Sequence, residues 1–173
     1  IEEFLKAHAI QSNRLGNNVW ARNKHFDSNK PTLLLNSHHD TVKPNPGYFR
    51  DPFKAEIIDG KLYGLGSNDA GGPLVSLIAA FIYFYDVPDL PYNLVLAATA
   101  EEEISGTGGI ESIWLSLPKI DCAIVGEPTL GQVAVAEKGL MVLDCVAKGK
   151  AGHAAREEGV NAIYQAFQDI DWF

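Results

Sequence analysis

Cysteine is scarce in this sequence, and its basic residues are thinly spread. The two cysteines, Cys122 and Cys145, stand far apart, each inside a segment that reads as a strand. So few thiols exclude a disulfide framework and a cysteine-based zinc site, both of which need more cysteines at closer spacing. They predict buried, reduced thiols and a cytoplasmic protein. No basic run occurs, and the net charge is −8. Nucleic acid and anionic membranes reward Lys/Arg patches, so neither is expected as a partner. The longest apolar stretch, Leu77 to Tyr85, is too short to span a bilayer. No signal peptide is visible in IEEFLKAHA, which reads as the middle of a helix, so residues upstream are expected. A Gly-x-Ser-x-Gly elbow and a Gly-Lys-Ser/Thr phosphate loop are both missing. Neither cysteine has a visible base partner, so nothing supports a Ser or Cys nucleophile.

What is present is enough apolar residue, 46% of 173, for one sizeable core. Ile1 to Ala9 has helical spacing, and Asn18 to Arg22 reads as a short strand. Thr32–Ser37 (TLLLNS), Asn93–Thr99 (NLVLAAT) and Asp121–Val125 (DCAIV) are compact apolar runs, as expected of strands buried on both faces. Ala55 to Tyr63 predicts a hairpin turning at Asp59-Gly60. An all-apolar helix is predicted from Pro73 to Tyr85, deeply buried, and a further helix over Thr107 to Leu115. Strands alternating with helices predict an α/β domain of three layers around a mostly parallel sheet. Near Glu137-Lys138-Gly139 the pattern changes to a longer strand, Leu140 to Ala147, a Gly-rich bend over Lys148 to Gly152, and a helix from about Val160. The expected division is therefore 1–137, an incomplete first domain, and 138–173, the start of an α+β second domain.

In open parallel sheets, ligands bind at the carboxyl ends of strands. Here each buried strand ends in metal-type residues: His38-His39-Asp40, Glu101-Glu102-Glu103 and Gly126-Glu127. Asp69 stands just before the buried helix. Carboxylates on one rim repel unless a cation sits among them, so the set points to a shared metal site. Strand alternation puts His38 and Asp40 on one side and His39 on the other. Asp40 can then accept the second ring N–H of His38 and fix its tautomer. Neighbouring carboxylates in the Glu run can divide metal binding and proton transfer between them. The rival reading of Gly64-Leu65-Gly66-Ser67-Asn68-Asp69 as a dinucleotide loop fails, because Asp69 would repel a pyrophosphate. His8 and His25 lie in polar stretches and read as surface residues.

Six ordered motifs then carry a resemblance from about Thr32 onward. They are SHHDTV at Ser37–Val42, DPF at Asp51–Phe53, LYGLGSNDAGG at Leu62–Gly72, TAEEE at Thr99–Glu103, VGEPT at Val125–Thr129 and GHAAREEGVNAI at Gly152–Ile163. The chain resembles the metallopeptidase family that includes acetylornithine deacetylase, succinyl-diaminopimelate desuccinylase, aminoacylase and glutamate carboxypeptidase. NDAGG and AREEG look most like the acetylornithine deacetylase branch.

The resemblance implies a zinc-peptidase-like catalytic domain followed by a lid and dimerisation domain. It implies two divalent metal ions, zinc first and cobalt as the alternative. His38 and Glu127 would bind the first ion, Asp69 would bridge both, and Glu103 would bind the second. Glu102 would be the general base, Asp40 the partner of His38, and His153 the lid histidine that stabilises the tetrahedral intermediate, often across a homodimer. A non-proline cis peptide is implied at Asp69-Ala70. The sequence departs from the family pattern in having Ala70-Gly71 after the bridging acid and Arg156 where Pro is common. The family's second-metal histidine comes late in the chain, and no residue here matches it.

The implied activity is hydrolysis of the amide of an N-acyl amino acid, such as N-acetylornithine in arginine biosynthesis. N-acetylcitrulline, succinylated diamino acids and dipeptides are alternatives within the family. A non-catalytic metal-binding or interaction domain is the alternative of another class. Intact Asp40 and Glu102 argue against it.

Overall fold

The computed structural model describes residues 1–136, 138–139, 141–153, 155–156 and 158–173. The chain divides into two compact units, Ile1–Val133 and Ala134–Phe173. The expected boundary falls on Glu137, outside the described residues.

In the first unit a five-stranded sheet runs in the order β1 (Asn13–Leu15), β2 (Asn18–Arg22), β6 (Asn93–Thr99), β3 (Thr32–His38), β7 (Cys122–Val125). β3 is parallel to β6 and to β7, while β2 is antiparallel to β6 and to β1. The sheet is thus mixed rather than mostly parallel, because the short β1–β2 hairpin adds an antiparallel edge to the parallel trio. Every residue of β6 is buried, as its unbroken apolar run requires. Its alternate side chains serve two cores. Leu94, Leu96 and Ala98 meet Leu5 of α1 (Glu2–Ala7) and Leu74, Ile78 and Phe81 of α2 (Gly72–Phe84). Val95 and Ala97 meet Trp20, Leu34, Leu117 and Ile113, the last on α3 (Ile110–Ile113). Helical layers on both faces give the three-layer arrangement.

The hairpin β4 (Glu56–Ile58) and β5 (Lys61–Tyr63) turns at Asp59 and Gly60, both with positive φ (51° and 75°), as a two-residue primed turn requires.

Three further expectations need correction. β7 is exposed along its whole length, and so is Cys122, because β3 is its one strand neighbour among the described residues. α2 buries one face, while Val75 and Tyr83 on the other are exposed, since a single sheet face covers it. The helix over Thr107 to Leu115 shrinks to α3 and a 3₁₀ turn, Trp114–Ser116.

The second unit contains α4 (Ala162–Trp172), capped by the Asn161 side chain accepting from the Ile163 N–H at 2.9 Å, and one antiparallel bridge, Lys150 to Val160. The strand expected over Leu140 to Ala147 begins outside the described residues. Its described part pairs with no strand and leaves Met141, Val142, Leu143 and Cys145 exposed. No helix among the described residues is long and apolar enough to cross a membrane.

Candidate functional site

The carboxyl ends of β3, β6 and β7 lie side by side, because the strands are parallel and in register: His38 faces Thr99, and Asn36 faces Val125. Each chain therefore leaves the sheet at the same rim. His38, the last residue of β3, is only 2% exposed. Its Nδ1 lies 3.1 Å from the Asp40 carbonyl oxygen and 3.5 Å from the Asp40 carboxylate. The main-chain carbonyl is thus the nearer acceptor, where strand alternation predicted the side chain. His39 turns away and its Nε2 reaches the Asn17 carbonyl at 2.8 Å.

With Nδ1–H donating to Asp40, Nε2 of a neutral ring carries a lone pair. That nitrogen lies 3.1 Å from Asp69 Oδ1, and 3.8 Å from both Glu102 Oε2 and Glu127 Oε2. Acceptor facing acceptor is stable only with a proton or a cation between them. The pKa values of His38 and Glu127 are shifted by the same crowding. Burial pulls the His38 pKa down, but the hydrogen bond to the Asp40 carbonyl, the charges of Glu127 and Glu102 and the hydrogen bond to Asp69 together hold it above its usual 6.5. Burial raises the Glu127 pKa. His38 opposes this, and Glu102, Asp69 and Glu103 reinforce it.

His38, Asp69 and Glu127 each offer a ligand atom, all within 4.8 Å of one another. One imidazole nitrogen and two carboxylates are the donor chemistry of a zinc-type divalent ion, so the residues fit such an ion. Glu127 reaches the rim from the end of β7. Gly126 fixes its place by donating its N–H to the Asn36 carbonyl (2.8 Å) and accepting from Ser37 Oγ (2.7 Å). Asp69 sits in the bend Ser67–Gly71 ahead of α2, where Asp69 and Ala70 leave helical dihedrals and their peptide bond is cis. This is the bond the resemblance implied.

Asp40 does more than meet the imidazole. Its carboxylate accepts the main-chain N–H of Glu102 (3.3 Å) and of Glu103 (3.2 Å), tying the β6 loop to the end of β3. Glu103 is not in the three-residue donor group. Glu101 leaves the rim, and its carboxylate accepts the Gly108 N–H at 2.8 Å. In the second unit His153 is exposed, and its Nδ1 accepts the Ala155 N–H at 3.2 Å. Arg156 pairs with Glu158 at 3.4 Å.

Sequence reasoning missed Asn18, which is fully buried. Its side chain accepts the Ala100 N–H (2.9 Å) and donates to the Gly108 carbonyl (2.7 Å), at the two ends of the Glu loop. Those partners lie far along the chain, so no local pattern could have marked it.

Among solved structures, the chain resembles the M20 family metallo-carboxypeptidase Sso-CP2 from Sulfolobus solfataricus, with 26% identity and a TM-score of 0.58 over 72% of this chain and 30% of that one. Human carnosine dipeptidase 1 aligns at 21% identity and a TM-score of 0.54, over 72% of this chain and 31% of its own. The di-peptidase Dug1p from Saccharomyces cerevisiae aligns at 24% and 0.51, over 73% and 31%. At those identities the last two speak for the fold alone. The chain spans less than a third of the length of each of these structures. Residues 34–170, which hold all the rim residues and His153, match the family model of peptidase family M20/M25/M40, and the chain belongs to that family.

Proposed function

We propose that this chain carries the metal-binding and proton-transfer residues of an amidohydrolase that frees an amino acid from its N-acyl derivative, with N-acetylornithine as the reference substrate. The observation that carries this reading is the buried His38, whose Nε2 faces the carboxylates of Asp69, Glu102 and Glu127 within 3.8 Å.

His38, Asp69 and Glu127 would hold one divalent ion, zinc before cobalt, and Asp69 with Glu103 would take part in holding a second. Such ions supply Lewis acidity toward an amide carbonyl and make water a better acid at neutral pH. Glu102 is exposed toward the rim, with its main chain held by Asp40. It takes a proton from the water that adds to the amide carbon. It then gives that proton to the nitrogen as the C–N bond breaks, leaving a carboxylic acid and the free amine. Asp40 holds the His38 ring and the Glu102 loop. His153 would donate to the oxyanion, in a protein that works as a homodimer in the cytoplasm. Arginine biosynthesis is the expected setting.

A second reading keeps the chemistry and changes the acyl group to an aminoacyl one, so that the substrate is a dipeptide or a peptide C-terminus. It is favoured by the M20 family metallo-carboxypeptidase among the solved structures. The test is metal content and turnover of the full-length protein that carries this chain, against N-acetylornithine, N-acetylcitrulline, a succinylated diamino acid and dipeptides. Two ions per chain with release of ornithine supports the first reading, and cleavage of dipeptides alone moves the assignment to the second. One ion with no turnover of either class overturns the enzyme and leaves a metal-binding domain.

A further inference from the structure

The loop Ala100–Gly109 leaves β6 and must turn back within a few residues while carrying Glu102 and Glu103. Glu101 makes that turn in the left-handed region, with φ of 59°. For a residue with a Cβ this conformation is costly and persists only where the surroundings over-determine it. Here they do. The Glu101 carbonyl accepts the Gly106 N–H at 2.9 Å, and its carboxylate accepts the Gly108 N–H at 2.8 Å. A Cβ on Gly106 or on Gly108 would collide with that carboxylate, so the two glycines leave the space that it fills. Asn18 closes the neck by bonding the loop's entry at Ala100 and its return at Gly108.

The clamp has a directional result. With the turn at Glu101 set, the next two N–H groups both point at the Asp40 carboxylate, and Glu102 leaves the backbone beside His38 Nε2. We infer that Glu101 is a positioning residue for Glu102: its carboxylate, held by Gly108, fixes the turn that aims the base. This rests on the reading of Glu102 given above. The expected magnitude follows from geometry, since misplacing a reacting group by about 1 Å costs on the order of 10²-fold in rate.

The test compares Glu101→Ala, Glu101→Gln and Gly108→Ala in the purified protein. Glu101→Ala is expected to lower kcat by about 10- to 100-fold, with KM and bound metal nearly unchanged. Glu101→Gln keeps an oxygen acceptor for the Gly108 N–H and is expected to restore most of the rate. Gly108→Ala pushes a methyl group into the carboxylate and is expected to reproduce the loss. In the metal-free protein, amide exchange at Glu102, Glu103 and Gly108 is expected to quicken in Glu101→Ala and not in Glu101→Gln. An unchanged kcat in Glu101→Ala, equal impairment of Ala and Gln, or metal loss in step with rate loss overturns the inference. If Glu101→Ala does not fold, Glu101→Gln decides: a near-native rate with a protected Gly108 amide supports the clamp, and a large loss overturns it. Full activity in Glu102→Ala would sink the base assignment itself, whereas an inactive Glu102→Ala beside a fully active Glu101→Ala sinks only the clamp.

Discussion

At the amino ends of β3 and β7, Asp121 accepts Lys119 Nζ at 2.6 Å and the Thr32 N–H at 3.0 Å, and nearby Asp86 pairs with Lys24 (2.6 Å) and His25 (2.8 Å). At the carboxyl ends of the same strands, Asp69, Glu102, Glu103 and Glu127 make no ion pair with Lys or Arg among the described residues. The same residue type is neutralised at one end of the sheet and crowded around a buried imidazole at the other. Lys119 and the Thr32 N–H hold the Asp121 pKa below its usual value, and Lys24 with His25 does the same for Asp86. Glu127 goes the other way. An acid beside a lysine stabilises the fold it belongs to, whereas acids gathered without one await a cation.

The sharpest way to break this comparison is kinetic. Glu102→Ala at the rim is expected to lower kcat by about 10²- to 10⁴-fold, the usual contribution of a positioned base. Asp121→Ala, at the other end of the sheet, is expected to leave kcat near wild type. Comparable losses in the two variants would remove the distinction.

A smaller effect is expected in thermal unfolding. Zinc at about 100 times its Kd is expected to stabilise the protein by about 2.7 kcal/mol, read as a rise in Tm. Asp69→Asn is expected to lose most of that rise and Asp86→Asn to keep it, since only Asp69 faces His38 Nε2.

The smallest effect is in pH dependence, measured on metal-free protein. Glu127 titrates above its usual 4.5 in the folded state, so its contribution to stability is present below pH 4.5 and is lost as pH rises through the folded value. Glu127→Gln is therefore expected to be more stable than wild type at pH 7 and equal to it at pH 4, read by chemical denaturation. Asp121 has the opposite sign: its contribution is present above pH 3.8 and lost as pH falls through its lowered value. Lys119→Ala is expected to move the Asp121 titration, followed by NMR, back toward 3.8.

Much of this was legible in the sequence, for physical reasons that differ by element. β6 appears over the predicted Asn93–Thr99 because a strand covered on both faces must be apolar throughout. The Asp59-Gly60 turn was legible because few residue pairs tolerate two positive φ angles in succession. β7 misled because an apolar run does not say whether a neighbouring strand exists to cover it. β1 went unseen because Asn13–Leu15 is exposed throughout and alternates nothing. The rim itself could be located, since strand ends are fixed by the strands. The role of the Asp40 carbonyl, the turn at Glu101 and the reach of Asn18 could not. They depend on main-chain hydrogen bonds that any residue type can make, and on partners distant in the chain.

Asp40 has one further consequence. Its main chain serves the imidazole on β3 while its side chain serves two amides on the β6 loop, so two strand ends are geared through a single residue. Asparagine there would set an amide N–H₂ against one of those N–H groups, and glutamate would displace the acceptor by a methylene. A descendant that acquires a new substrate by reshaping its loops is therefore held at this position as well as at the metal-type residues and the base, although Asp40 need not touch substrate or ion.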